Sequence, residues 1–172
     1  MKKHSGMRPH DIPILLKIVC KHDKSWMMKD LANELRISAS EISESLNRSV
    51  IAGLLGSDKK KVNRLALLDF LEHGLKYVYP QRPGALSRGI PTAHSAPPLS
   101  NHISGDENFV WAYAKGDSRG QIIEPLHPNI PEACMNDHEF YEMMALVDSI
   151  RSGRARERNM AVEILETRLK NG

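Results

Sequence analysis

Through the N-terminal part of the chain, hydrophobic positions return every three or four residues, the period of helices that bury one face. Ile12, Leu15, Leu16, Ile18, Val19 and Cys20 form a broad stripe between Pro9 and Lys21, with Asp11 and Pro13 suited to its first turn. Met27, Met28, Leu31, Ala32 and Leu35 form a second stripe, which Ser25 is placed to cap. A third runs through Ile42, Leu46, Val50 and Leu54, with Ser38 or Ser40 as its cap and Gly53 and Gly56 closing it. Two capped helices joined by a turn of about four residues make a helix-turn-helix, and small Ala32 leaves room for their tight crossing. In "DKKKVNRLALLDFLEHG", Val62, Leu65, Leu68 and Leu71 predict a fourth helix that begins with three lysines and stops at Gly74.

The pattern then changes. "LKYVYP" and "GIPTAHSAP" have the look of short strands on either side of "QRPGALSR", and five of the ten prolines fall between Pro80 and Pro98. "NFVWAYAKG" and "GQIIEPL" predict a hairpin turning through "KGDSRG". Phe140, Met143, Met144, Val147 and Ile150 return to a helical face that starts near Asn136 and Asp137, and Met160, Ile164, Leu165 and Leu169 make another beyond Ser152 and Gly153. The expected fold is α+β and mainly helical. A winged helix-turn-helix domain is expected over residues 1–94, and a small domain of hairpin and helices over 95–172 for dimerisation or partner binding.

Composition narrows the setting. Hydrophobic residues make up 41% and charged residues 26%, ordinary for a globular protein, and no apolar run approaches the ~20 residues of a membrane span. The opening "MKKHSGMRPHD" has no apolar stretch of signal-peptide type behind its lysines, so a cytoplasmic protein is expected. Cys20 and Cys134 fit reduced thiols. The net charge of +3 conceals an asymmetry: residues 1–86 hold 15 Lys and Arg against 9 Asp and Glu, whereas residues 87–172 hold 9 against 12. A basic N-terminal half suits a polyanion.

Placed on a helical wheel from Ile42, Leu46, Val50, Gly53 and Leu54 face inward, Glu41, Glu44, Arg48 and Ile51 face away, and Ser40 and Asn47 flank that outer face. Serine, asparagine and arginine reach phosphates and base edges, and a carboxylate accepts from a cytosine amino group. Glu44 stands four residues before Arg48, so it either orients Arg48 toward DNA or forms a surface ion pair with it. The stretch "MKDLANELRISASEISESLNRSVIAGLL" resembles winged helix-turn-helix transcription regulators of the MarR-like and ArsR-like groups, with Leu31, Ala32, Leu35, Ile37, Ser38, Ile42, Ser43, Leu46, Val50, Gly53 and Leu54 on the family's positions. The resemblance implies a dimeric regulator of double-stranded DNA, its third helix in the major groove and a β-hairpin wing on adjacent phosphates. Ser38, Ser40, Ser43, Asn47 and Arg48 are the expected groove contacts; Lys59, Lys60, Lys61, Arg82 and Arg88 are the expected phosphate contacts. The chain departs from the family after Leu55, where a lysine-rich helix is expected in place of the wing. Either "GSDKKKV" or "YPQRPGALSRG" is the wing, and the second is preferred because it lies between strand-like segments. "ALVDSIRSGRARERNMAVEILETRL" is similar to segments of small bacterial proteins encoded with nucleotidyltransferase-type toxin or phage-defence partners. That resemblance implies an antitoxin-like, autoregulating protein, with Arg151, Arg154, Arg156 and Arg158 on a partner or simply on a solvated face.

The expected function is transcriptional repression by operator occupancy. The alternative is a protein-interaction module or antitoxin-like protein that neutralises a partner encoded beside it. Chemistry is thinly signalled. His94, His102, His127, Cys134 and His138 fall in the second half, and Cys134 and His138 are spaced for one helix face, but no CxxC, HExxH or phosphate-cradling glycine loop accompanies them. "GDSRG" puts Ser118 in a GxSxG pattern that leads into a strand, not a helix. Thr92, His94 and Ser95 alternate direction on a strand and lack a third partner. No catalytic residue, metal or cofactor is therefore expected. Trp111, Tyr113 and Met143 are read either as core or as the lining of an effector pocket.

Overall fold

The computed structural model describes residues 6–172; Met1–Ser5, with the two opening lysines on which the cytoplasmic expectation partly rests, lie outside the described residues. The fold is α+β and mainly helical. Three helices open it: α1 (Asp11–Val19), α2 (Met28–Leu35) and α3 (Ala39–Ile51). Then come α4 (Arg64–His73), the single turn α5 (Leu75–Val78) and β1 (Leu86–Pro91). Two 3-10 turns, Ala93–Ser95 and Leu99–Asn101, lead to β2 (Phe109–Ala112) and β3 (Ser118–Ile122). The chain ends in α6 (Ile130–Met135), α7 (His138–Ser152) and α8 (Ala155–Lys170).

Four helix starts, those of α2, α3, α4 and α7, have a local cause. Ser38 caps α3 by accepting from the Glu41 amide, Asn63 caps α4 through Ala66, and Asp137 caps α7 through Phe140. α2 begins two residues later than Ser25 suggests, because Asp30 reaches back to the Met27 amide at 2.7 Å and fixes the start there. The fourth helix also starts late: Asn63 caps it, which leaves the lysines outside it. "LKYVYP" is helical rather than extended, since Gly74 stays right-handed (φ −112°, ψ −35°) and the next residue, Leu75, is fully buried.

The strands are arranged differently from a hairpin. β1 pairs antiparallel with β3 through Leu86 to Gly89 and with β2 through Gly89 to Pro91, and β2 and β3 lie parallel, closing a three-stranded barrel. Glycines make so tight a closure possible. A Cβ at Gly89 would stand 1.9 Å from the Trp111 carbonyl oxygen, and one at Gly116 would stand 2.3 Å from that of Gly89. "GIPTAHSAP" is strand only to Pro91, where the buried Ala93 takes a positive φ of 54° and turns the chain away.

The larger of two hydrophobic clusters runs from Ile12 in α1 to Leu169 in α8 and so draws on both sides of residue 94, and Ala93, Phe109 and Ile123 form a small second one. α7 is the centre of the larger, with Phe140, Met143, Met144, Leu146, Val147 and Ile150 all buried on a helix whose residues from Met143 to Arg151 are buried all round. Trp111 and Met143 belong to this core, not to a pocket. α1 and α4 pack on α7, and α8 packs antiparallel to α7, with Arg168 donating to Glu142 at 2.5 Å.

Two polar groups fasten the halves together. The Lys17 ammonium, 5% exposed, meets Asp137 at 2.6 Å and Glu34 at 3.2 Å, joining α1, α2 and the start of α7. Asp148 is fully buried and accepts from Thr92 Oγ1 and Trp111 Nε1, both at 2.7 Å, and from Arg151 at 2.8 Å. Burial pushes its carboxyl up, against the opposing pull of Arg151, Thr92 and Trp111. Arg151 also donates to the Tyr79 and Glu124 carbonyls, which removes it from the expected arginine surface.

Candidate nucleic-acid interface

The turn between α2 and α3 is short because Arg36 takes left-handed backbone (φ 55°, ψ 41°) and the Ile37 amide bonds back to the Ala32 carbonyl. Ile37 is buried and Ser38 starts the next helix, so α3 departs at once on a new axis. Ile42 and Leu46 face α1 and α2, which leaves one side of α3 open.

That open side carries Ser40, Glu41, Glu44, Asn47 and Ile51, with Ser43 half-buried at its edge and Ile51 66% exposed. Ser38 is exposed at the N-terminal end, its hydroxyl 3.2 Å from that of Ser40. Arg48 is not among them. Its side chain is 8% exposed and turns inward, where Nε donates to Asp11 Oδ2 at 3.0 Å and Nη2 to Oδ1 at 2.7 Å. Glu44 stays 4.0 Å away at the surface, so the intrahelical pair is displaced by a buried bidentate one. Hydrogen bonding to Asp11 raises the Arg48 pKa still further. The expected groove contact at Arg48 is therefore corrected: it holds α3 onto the first turn of α1.

The lysines lie directly after α3. Leu55 and Val62 pair in an antiparallel bridge, the Gly56 amide donates to the Lys61 carbonyl at 2.8 Å, and Lys59 stands at the tip with a φ of 57°. Asp58 accepts from the amides of Lys60 and Lys61, and those bonds hold its carboxyl below the usual range. This hairpin follows α3 directly, whereas "YPQRPGALSRG" lies beyond α5 and runs into β1. Lys59 and Lys61 are exposed on the hairpin. Lys60 folds back, donating to the Trp26 carbonyl at 2.8 Å with its ammonium 4.2 Å from the Trp26 ring centre.

Arg82 and Arg88 are exposed but lie elsewhere. Arg82 follows α5, and Arg88 is on β1 opposite Arg119 of β3; the small sheet shares no packed face with α3 or the lysine hairpin.

Tertiary contacts add residues that no local pattern singles out. Asn129 donates to the Arg36 carbonyl at 2.8 Å, and Arg36 pairs with Glu132 at 2.8 Å, so the start of α6 is fixed beside the helix-turn-helix turn. His127 lies edge-on to His10 with ring centres 5.9 Å apart. Burial lowers both imidazoles below the ordinary histidine value, opposed at His10 chiefly by Asp11 and at His127 by Glu41 of α3. The N-terminal end of α3 is thus bordered by polar groups from sequence-distant segments.

Elsewhere, Cys134 is buried at the end of α6 while His138 is exposed and 3.2 Å from Glu142, so the two do not share a site. Burial pushes the Cys20 thiol up to about 12 and raises Cys134 as well. Among the described residues, no group of three or more His, Cys, Asp or Glu is placed to hold a metal ion, and no helix is long and apolar enough to cross a membrane. No family model, curated protein or solved structure matches the chain.

Proposed function

We propose that the chain is a sequence-specific DNA-binding regulator acting by operator occupancy, with α3 in the major groove and the Lys59–Lys61 hairpin on flanking phosphates. The observation that carries this reading is the direct succession of a tightly turned α2–α3 pair, an open polar face on α3 and a lysine-bearing hairpin at its end. Asn47, Ser40 and Ser43 supply base-edge donors and acceptors, Glu41 and Glu44 supply acceptors for cytosine amino groups, and Lys59 and Lys61 supply charge.

The test is fluorescence anisotropy with a duplex from the gene's own promoter and a scrambled duplex, each across a salt series. Asn47→Ala is expected to weaken promoter binding by about 1–3 kcal/mol and leave the scrambled duplex unchanged. Lys61→Ala is expected to weaken both and reduce the salt slope by about 1. Absence of promoter binding at physiological salt overturns the proposal.

One observation favours a second reading. With Arg48 turned inward, the open face of α3 holds two carboxylates and the exposed Ile51 but no cation, a composition suited to docking on a basic protein partner, as an antitoxin-like protein would require. Failure on both duplexes, together with capture of the partner encoded beside it and loss of that capture in Ile51→Asp, would establish this reading instead.

A further inference from the structure

Two imidazoles meet at the start of α1, and the fold uses each as a hydrogen-bond acceptor. His10 directly precedes α1, and its Nε2 lies 3.3 Å from Arg48 Nη2. A guanidinium has donors only, so His10 Nε2 must offer a lone pair. His127 lies in the segment before α6, and its Nδ1 accepts from the Asn129 amide at 3.1 Å. A backbone amide is likewise a donor only, so this nitrogen also carries no proton. The two rings stand edge to face with centres 5.9 Å apart, and both residues are half-buried.

The contact therefore requires both rings to be neutral. A proton on His10 Nε2 would set an N–H against the N–H of Arg48 and place a second cation beside that guanidinium. A proton on His127 Nδ1 would cancel the Asn129 bond, and two imidazoliums at this spacing repel. The charged and titratable groups around the pair are Arg8 and Asp11 at the start of α1, Glu41 and Arg48 on α3, and Tyr79 after α5, which faces Asp11 and Arg48. Neither carboxylate compensates a new positive charge well: Asp11 has both oxygens engaged by Arg48, and Glu41 is exposed to water. Burial accordingly outweighs the pull of Asp11 and Glu41 and keeps both imidazoles below the ordinary value.

We propose that His10 and His127 form an acid-sensitive latch, which when neutral holds the segment before α6 against the start of α1, and which opens when either ring is protonated. Asn129 and Glu132 still hold that segment to Arg36, so the latch opens locally at the His127 end without unfolding the chain. Because both rings titrate below the ordinary histidine value of 6.5 when folded, the unfolded chain binds more protons just below that pH. The stability that the latch contributes is thus complete above pH 6.5 and is lost as pH falls through the folded values. The latch is read on the chain alone, so its outcome is independent of what α3 binds.

NMR of the full chain, followed from about pH 7.5 to about pH 5, tests it across the histidine range. Both imidazoles are expected to titrate below 6.5, and the cross-relaxation between the His10 and His127 ring protons is expected to vanish as they do, while the α7 amides keep their exchange protection. Gln places an oxygen near the accepting Nε2 of His10, and Asn places one near the accepting Nδ1 of His127, and neither titrates. In His10→Gln combined with His127→Asn, the fall in urea midpoint over the same pH range is expected to be at most about half that of the wild type. Ring contacts that persist once both imidazoles are protonated overturn the proposal. So does a double variant whose urea midpoint falls as far as that of the wild type.

Discussion

A guanidinium four residues after a carboxylate on a helix has two kinds of partner open to it: its neighbour on the same helix, or a group delivered by another element. Arg48 takes the second, because Asp11 is fully buried on α1 and offers both oxygens in a fork geometry, whereas Glu44 stays in water. Removing one member of a buried pair leaves the other uncompensated, so Arg48→Ala is expected to destabilise the chain by about 3–5 kcal/mol. Glu44→Ala is expected to change stability by less than about 1 kcal/mol. Urea unfolding of the two variants beside the wild type checks both, and a small effect at Arg48 would show that the Asp11 contact contributes little. Any loss of DNA binding in Arg48→Ala therefore has to be separated from loss of fold. Asn47 and Ser40 are cleaner probes of the α3 surface, since both are exposed.

At the scale of elements, the capping residues and hydrophobic periods make the helices legible, and the misreadings cluster where glycine, proline or lysine interrupts a pattern. Three lysines read as the start of a helix, yet Asn63 captures the cap and the lysines form a hairpin closed by the Leu55–Val62 bridge. That hairpin is short, and Lys60 ties it to the residue before α2 through the Trp26 carbonyl and ring. Lys60→Met keeps most of the aliphatic stem but removes the ammonium. It is expected to raise amide exchange at Gly56 and Asn63, whose bonds close the hairpin, while the α3 amides keep their protection. Unchanged exchange at Gly56 would mean that the bridge alone fixes the hairpin. On the DNA-binding reading, Lys60 thus acts as a positioning residue for Lys59 and Lys61 and not as a phosphate contact.

For the whole molecule, the larger core decides how the parts depend on one another. α1 packs on α7, α4 packs on α7 and α8, and Lys17 joins α1 and α2 to the cap of α7, so the helix-turn-helix rests on the C-terminal helices. A fragment ending at residue 94 would lack α7 and α8, against which α1 and α4 pack. Such a fragment is expected to lack a cooperative thermal transition by circular dichroism. A sharp transition would show that the N-terminal helices are an independent domain after all. The sequence by itself determined the apolar stripes of α1 to α4, α7 and α8, a cap at Ser38 or Ser40 and the mainly helical α+β class, because these depend on neighbours within a few residues, whereas α5 has the pattern of a strand and α6 lies in a proline-punctuated stretch. Tertiary structure alone decided the partner of Arg48, the parallel pairing of β2 and β3, and the placing of His127 and Asn129 beside the α3 turn. In each of those, the partners stand far apart in the chain, and only the packing of α7 and the closure of the small barrel bring them together.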